Sequence, residues 1–135
     1  MEIRDYSVYR QDEILSLYES VGWRNYTAHP EMLETAYRKS LCALAAYEGN
    51  ALIGILRAVG DGASILYIQD IIVHPDHQHQ GVGTALVQEV LRRYPNVYQT
   101  VLMTDDTEKT VQFYQSLGFR DVCDMGCTGL MKMRV

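Results

Sequence analysis

The chain has 135 residues, 47 % hydrophobic and 21 % charged, with a net charge of −5 at pH 7. That length supports one core and one domain, 1–135, and the composition is that of a folded chain rather than a disordered one. The acidic balance argues against a nucleic-acid partner. No apolar run nears the ~20 residues of a membrane span, and Met1-Glu2-Ile3-Arg4-Asp5 has no signal-peptide core. Cys42, Cys123 and Cys127 are an odd set that cannot all pair, which favours a reducing cytoplasm and free thiols.

Glu2 to Tyr9 alternates loosely and reads as a first strand. Gln11 to Val21 carries Ile14, Leu15, Leu17, Tyr18 and Val21 at helical spacing and ends near Gly22. Trp23 to His29 reads as a loop, and Pro30 suits the first turn of a helix whose apolar face is Leu33, Ala36, Tyr37 and Leu41. Cys42–Glu48 and Ala51–Val59 flank Gly49-Asn50, a hairpin signal. Gly60-Asp61-Gly62 turns the chain into an apolar strand, Ile65–Val73, interrupted only by Gln69 and Asp70. A helix over Val82–Tyr94 is broken by Pro95-Asn96 and followed by a strand over Val97–Met103. Thr107 is an N-cap for a helix carrying Val111, Tyr114 and Leu117. Phe119–Met125 and Leu130–Val135 are expected to close the domain as a hairpin. There is no repeat, linker or low-complexity stretch.

The chemistry concentrates between the apolar strand and the helix that follows it. There His74-Pro75-Asp76 breaks the strand, and Gln78-His79-Gln80-Gly81-Val82-Gly83-Thr84 leads into the helix. A strand, a glycine loop and a helix start point free backbone N–H groups at an anion. Gly81 and Gly83 let the chain approach a phosphate without an intervening Cβ. A Walker loop would need a lysine, and none lies between Val59 and Leu102. A dinucleotide fingerprint would need a third glycine where Leu86 stands. What remains is Gln/Arg-x-x-Gly-x-Gly/Ala.

That pattern resembles the pyrophosphate loop of the GNAT superfamily of acyl-CoA N-acyltransferases. Gln112-Phe113-Tyr114-Gln115-Ser116-Leu117-Gly118-Phe119 is similar to the Phe-Tyr-x-x-x-Gly-Phe segment of the same superfamily, in the same order and with one helix and one strand between the two. Ile68 to Pro75, with Gly126-Cys127-Thr128-Gly129-Leu130-Met131, further resembles the plant serotonin N-acetyltransferase-like branch and its small bacterial relatives. The resemblance implies an α/β (α+β) fold. Its features would be a mixed sheet of six to seven strands, a bulged central strand and about four helices on both faces.

It also implies transfer of an acetyl group from acetyl-CoA to a primary amine of a small molecule, with no metal. Residues His79 to Thr84 would hold the pyrophosphate, with Gln78 at the Gln/Arg position. Ile71, Ile72 and Val73 would pair with the pantetheine arm where the strand splays from its neighbour, and the amide of Ile72 or Val73 would face the thioester oxygen. Tyr114 stands at the general-acid position; it also reads as a core tyrosine. Asp70 is a base or amine anchor, or else it caps a loop or pairs with Arg57 across the hairpin, since a carboxylate in an apolar strand is costly unless it is paired or faces a cavity. Gln69 and Asp70 face opposite sides unless the bulge intervenes. Tyr67 and Gln69 are alternative polar contributors to an acceptor cleft. Trp23 and Tyr26 are either an aromatic wall for an amine or a hydrophobic plug.

An alkylamine with a pKa of ~10.4 costs on the order of 4–5 kcal/mol to deprotonate at pH 7 unaided, so a base near the acceptor, or a water chain leading from it, would help. The negative remainder of the chain suits a cationic acceptor. His74, His77, His79 and Asp76 read as solvated loop residues rather than metal ligands. Where many family members carry an asparagine, this chain has Glu108, so that contact would be lost or pass to Thr104, Asp105 or Thr107. Two rival readings are an idle acyl-CoA-binding regulatory module and an enzyme acting on a protein or aminoacyl-tRNA amine. The family resemblance leaves a homodimer open and specifies no interface.

Overall fold

The computed structural model describes residues 1–134, which fall into two compact units, Met1–Met103 and a second that begins at Thr104. In the first unit the elements run β1 (Glu2–Asp5), α1 (Gln11–Ser20), α2 (Arg24–Thr27), α3 (Pro30–Arg38), β2 (Cys42–Glu48), β3 (Ala51–Gly60), β4 (Ile65–Val73), α4 (Val82–Arg93) and β5 (Gln99–Leu102). The sheet order is β1-β2-β3-β4-β5; the first three pairings are antiparallel and β4–β5 is parallel. The fold is therefore the expected α/β class with a mixed sheet.

Alternation along the central strands sends side chains to two faces. On one, Ile14, Leu17 and Tyr18 of α1 and Leu33 and Tyr37 of α3 pack with Ala45, Tyr47, Ile55 and Ile72. On the other lies α4, whose Val82, Leu86, Val87 and Val90 are buried. Gly54 on β3 lets α4 lie close. A Cβ there would stand 3.0 Å from Val82 Cγ1, 3.2 Å from the Ile72 carbonyl oxygen and 3.3 Å from Leu86 Cδ1. The turn before β4 is held by Asp61, whose Oδ1 accepts from the amides of Ala63, Ser64 and Ile65 at 2.8, 2.8 and 3.1 Å. The Ser64 hydroxyl, which donates to Oδ2 at 2.6 Å, and then those amides stabilise the carboxylate and hold its pKa far below the ordinary range.

In the second unit, α5 (Glu108–Ser116) starts at Thr107, whose hydroxyl accepts from the Thr110 amide at 3.4 Å. A 3₁₀ turn spans Val122–Met125, and residues 126–134 have no regular structure.

Three expectations are corrected. The described sheet has five strands rather than six to seven, with five α-helices rather than about four. The closing hairpin does not form: Phe119–Met125 ends in a 3₁₀ turn, Leu130–Arg134 pairs with no strand among the described residues, and Val135 lies outside them. An apolar pattern makes a strand only where a neighbouring backbone accepts its N–H and C=O groups, and periodicity says nothing about that neighbour. The segment from Trp23 to His29 contains α2 rather than being wholly loop. No helix among the described residues is long and apolar enough to cross a membrane.

Candidate functional site

The site is built around the far half of β4. β5 pairs with Ile65–Ile68 only, through Gln99–Leu102, so from Asp70 to Val73 β4 has β3 on one side and, among the described residues, no strand on the other. Register shows which amides face the open side. His74 N–H donates to the Ile53 carbonyl at 2.8 Å. Gly54 opposite Val73 is then a non-hydrogen-bonded pair, and Ile55 opposite Ile72 a hydrogen-bonded one. Ile72 therefore spends its main-chain groups on β3, while Ile71 and Val73 point theirs away. Gln78 ties the loop back by donating its side-chain amide to the Val73 carbonyl at 3.1 Å.

Beyond that loop the chain enters α4 through Gly81, whose φ of 83° is left-handed and suits glycine. Gly81 provides no side-chain cap, and the first intrahelical bond runs from Ala85 N–H to the Gly81 carbonyl at 3.0 Å. The amides of Val82, Gly83 and Thr84 therefore emerge from the first turn without helical acceptors, at the positive end of the helix dipole. His79 also has positive φ, 63°. An unpaired strand edge that runs into an uncapped helix start fits an elongated ligand ending in a diphosphate.

On the α1/α3 face the register shift between Arg57 and Ala58 locates a bulge on β4 at Gln69: Arg57 faces Asp70, and Ala58 faces Ile68. The extra residue lets Gln69 and Asp70 serve the same side. Gln69 donates its amide to the Tyr26 hydroxyl at 3.3 Å, and Tyr26 packs against Tyr18 and Trp23 with ring centroids 5.4 and 6.0 Å away. Tyr67, half-buried opposite Val59, shares the face of Arg57 and Asp70.

Asp70 is 1 % exposed. Its Oδ2 accepts from Arg57 Nε at 2.8 Å and from the Tyr18 hydroxyl at 2.9 Å. The Tyr18 and Tyr37 oxygens are 2.7 Å apart. Tyr18 has one proton and gives it to Asp70, so Tyr37 donates to Tyr18. Oδ1 of Asp70 is buried with no hydrogen-bond partner among the described residues. Burial, together with the Asp70 charge, pushes the Tyr18 and Tyr26 hydroxyls up in pKa and keeps both neutral. Burial works to lower Arg57, but the charge and hydrogen bond of Asp70 outweigh it and leave it raised. The Arg57 guanidinium also lies 5.6 Å from the Tyr37 ring centroid. Asp70 is thus paired with Arg57 and still keeps one oxygen unspent.

In the second unit, Tyr114 is buried, with Phe113 and Phe119 rings at 5.0 and 5.9 Å. Burial first, and then the charge of Asp105, push its phenol up to about 12. Thr104 is exposed and its hydroxyl donates to Asp105 at 3.3 Å.

Sequence reasoning missed the hydroxyls of Tyr18 and Tyr37, which it took only as parts of apolar helix faces, and the role of Gly54. Each depends on a partner distant in sequence. A hollow of about 400 Å³ opens beside β1, lined by residues including Arg4, Tyr6, Arg10 and Tyr47. No residue expected to act in the site lines it. Among the described residues no three His, Cys, Asp or Glu side chains group as metal ligands.

The family model described as the acetyltransferase (GNAT) domain matches residues 39–121. An uncharacterized N-acetyltransferase of Gracilaria tenuistipitata var. liui is 33 % identical over 113 residues, covering 79 % of this chain and 60 % of that protein. The chloroplastic GCN5-related N-acetyltransferase 2 of Arabidopsis thaliana is 40 % identical over 70 residues, covering 50 % of this chain and 26 % of its own length. The chain therefore spans about three fifths or less of the length of these two relatives. Among solved structures, a GNAT-family acetyltransferase from Streptococcus pneumoniae TIGR4 superposes with a TM-score of 0.90 at 40 % identity, over 98 % of this chain and 97 % of that one. With the glycine loop, the bulged strand and the helix start inside the matched span, the chain belongs to the GNAT family of acetyltransferases.

Proposed function

We propose that the protein is an acetyl-CoA-dependent N-acetyltransferase that modifies a small primary amine by direct attack in a ternary complex. The observation that carries this reading is the open half of β4 leading into the uncapped start of α4. Gln78, His79, Gln80, Gly81, Val82, Gly83 and Thr84 would hold the diphosphate of the coenzyme, and the main chain of Ile71 and Val73 would hold its arm. Bound acetyl-CoA supplies the thioester acyl group that the amine attacks. Local amides matter here because the chain as a whole is anionic and would otherwise repel a polyanion.

The chain's own residues supply the rest. The Val73 amide is the donor for the acyl oxygen, a role for which a main-chain N–H is pre-oriented. On the acceptor side, Asp70 would draw the amine's proton through a water chain, because Oδ1 itself is buried, while Arg57 and Tyr18 on Oδ2 fix the carboxylate in place. Trp23, Tyr26, Tyr67 and Gln69 would border the acceptor, and half-buried rings suit a compact cation. On the motif resemblance, Tyr114 is the donor to the departing thiolate. Its pKa of about 12 exceeds that of a model thiol at ~8.5, so complete transfer is uphill by about 5 kcal/mol. Tyr114 therefore acts chiefly by donating a hydrogen bond that stabilises the developing thiolate, which takes its proton from water as the thiol departs. The exposed free thiols of Cys123 and Cys127 support a reducing setting such as the cytoplasm.

Thiol release from acetyl-CoA, followed across a panel of primary amines, tests the proposal. The expected result is release with at least one amine. Tyr114→Phe should lose turnover by ~10²-fold or more while keeping its affinity for acetyl-CoA in calorimetry. Binding without turnover for any amine would instead indicate a regulatory module, and absence of heat with both acetyl-CoA and free coenzyme A would overturn the reading.

A further inference from the structure

The hollow of about 400 Å³ beside β1 lies within the first unit and is lined by Arg4, Asp5, Ser7, Val8, Arg10 and Tyr47 among others. Its volume is in the range of sites that hold small organic molecules. The loop from β1 to α1 forms one wall. Tyr6 closes that loop, because its hydroxyl accepts from the Arg10 amide at 3.1 Å and donates to Glu13 at 3.3 Å. Tyr47 on β2 donates to the same carboxylate at 3.0 Å. Both phenol protons are thus used within the protein.

What the hollow still offers is an excess of donors. The main-chain N–H groups of Ser7 and Val8 and the Ser7 hydroxyl have no hydrogen-bond partner among the described residues. The Arg10 guanidinium makes no hydrogen bond or ion pair among them either. Arg4 lies over the Tyr47 ring, 4.1 Å from its centroid, and its ion pair with Glu2 is long, at 3.9 Å. A guanidinium held by its face keeps the N–H groups at its rim available. Asp5 is the acid in the lining, and Arg93 pairs with it. Burial first, and then the bond to Glu13, raise the Tyr47 hydroxyl in pKa; the charges of Arg4 and Arg10 oppose that rise, so both cations act at this one ring.

We infer that this hollow binds a phosphate group, free or as the monoester of a small molecule, through Arg4, Arg10 and the main chain of Ser7 and Val8. Unspent donors beside two cations select an anion, and the guanidinium fork matches the oxygens of a phosphate in pairs. A hollow larger than one phosphate leaves room for an organic body. The chain as a whole carries a net charge of −5, so the anion is held by these local donors against the general field, and affinity falls as salt rises. The hollow shares no residue with the loop from Gln78 to Thr84, and the inference stands whether or not that loop holds a coenzyme.

NMR of the backbone amides and arginine Nε–H groups of the full chain, titrated with inorganic phosphate and with glycerol 3-phosphate, tests this. Saturating shifts are expected for the Ser7 and Val8 amides and for Arg4 and Arg10, with half-saturation in the millimolar range or below. Arg10→Gln should weaken binding ~10-fold or more. Its thermal midpoint should not change, because the side chain is exposed. Arg4→Gln/Arg10→Gln should abolish the saturation. Tighter binding of the ester would assign the rest of the hollow to an organic body, and equal binding would assign the site to phosphate alone; both support it. Shifts that grow without saturating, that survive the double substitution or that are confined to residues 81–84 overturn the inference. So does an affinity that stays constant as sodium chloride is raised.

Discussion

The two halves of β4 differ in their neighbours: Leu66, Tyr67 and Ile68 are paired with strands on both sides, whereas Asp70, Ile71, Ile72 and Val73 are paired with β3 alone among the described residues. The first half contributes Leu66 and Ile68 to the core and holds the sheet together. The second keeps its inner ladder intact and offers its outer main-chain groups, Ile71 and Val73, to whatever enters. The bulge at Gln69 marks the boundary, and Arg57 faces Asp70 directly beyond it. One strand can thus be both framework and binding edge, because a strand's two rows of hydrogen-bonding groups are independent.

The strongest way to break this arrangement is at the boundary. Arg57→Met leaves the Asp70 carboxylate buried without its counter-charge and should cost about 3–5 kcal/mol in urea unfolding. The double variant Arg57→Met/Asp70→Leu should recover most of that loss, and failure to recover would mean that the pair is not the coupled unit described.

A proline pair separates the two rows of β4. Val73→Pro removes an N–H that faces the open side. It should lower turnover ~10²–10³-fold with little change in the urea midpoint. Ile72→Pro removes a ladder N–H to β3 and should lower the midpoint sharply. Equal effects of the two on stability would refute the assignment of rows.

The smallest effect lies in the second unit. The folded-state pKa of Tyr114, about 12, lies above its ordinary value of 10.0. The unfolded chain therefore loses its proton first. The contribution of Tyr114 to stability is complete below about 10 and falls as the pH rises to about 12, by up to about 2–3 kcal/mol. Unfolding of Tyr114→Phe should show a correspondingly shallower decline with pH over that range.

Much of this was legible in advance, and the particular elements show why. β2, β3, β4, α3 and α4 follow from local periodicity, the Gly49-Asn50 turn and Pro30, all of which operate within a few residues. The pairing of Arg57 with Asp70 could be offered as an alternative because both lie on a hairpin of readable register. The donation from Tyr18 to Asp70 spans 52 positions, and no local pattern distinguishes a tyrosine that fills a core from one that also donates a hydrogen bond. The C-terminal hairpin was misread for the complementary reason: Leu130–Arg134 has strand character, but strand formation depends on a backbone that the segment does not itself contain.

Gly54 carries a consequence for how this scaffold tolerates change. The nearest atom to the missing methyl is on Val82, the first residue of α4. Alanine at position 54 would act as a wedge beneath one end of a rod ~18 Å long, prising up the anion-facing tip and leaving the distal turns seated. A single carbon on the sheet would then be felt in ligand affinity before it was felt in folding. A library randomised at this codon and selected only for solubility should admit small side chains that selection for binding the proposed coenzyme discards.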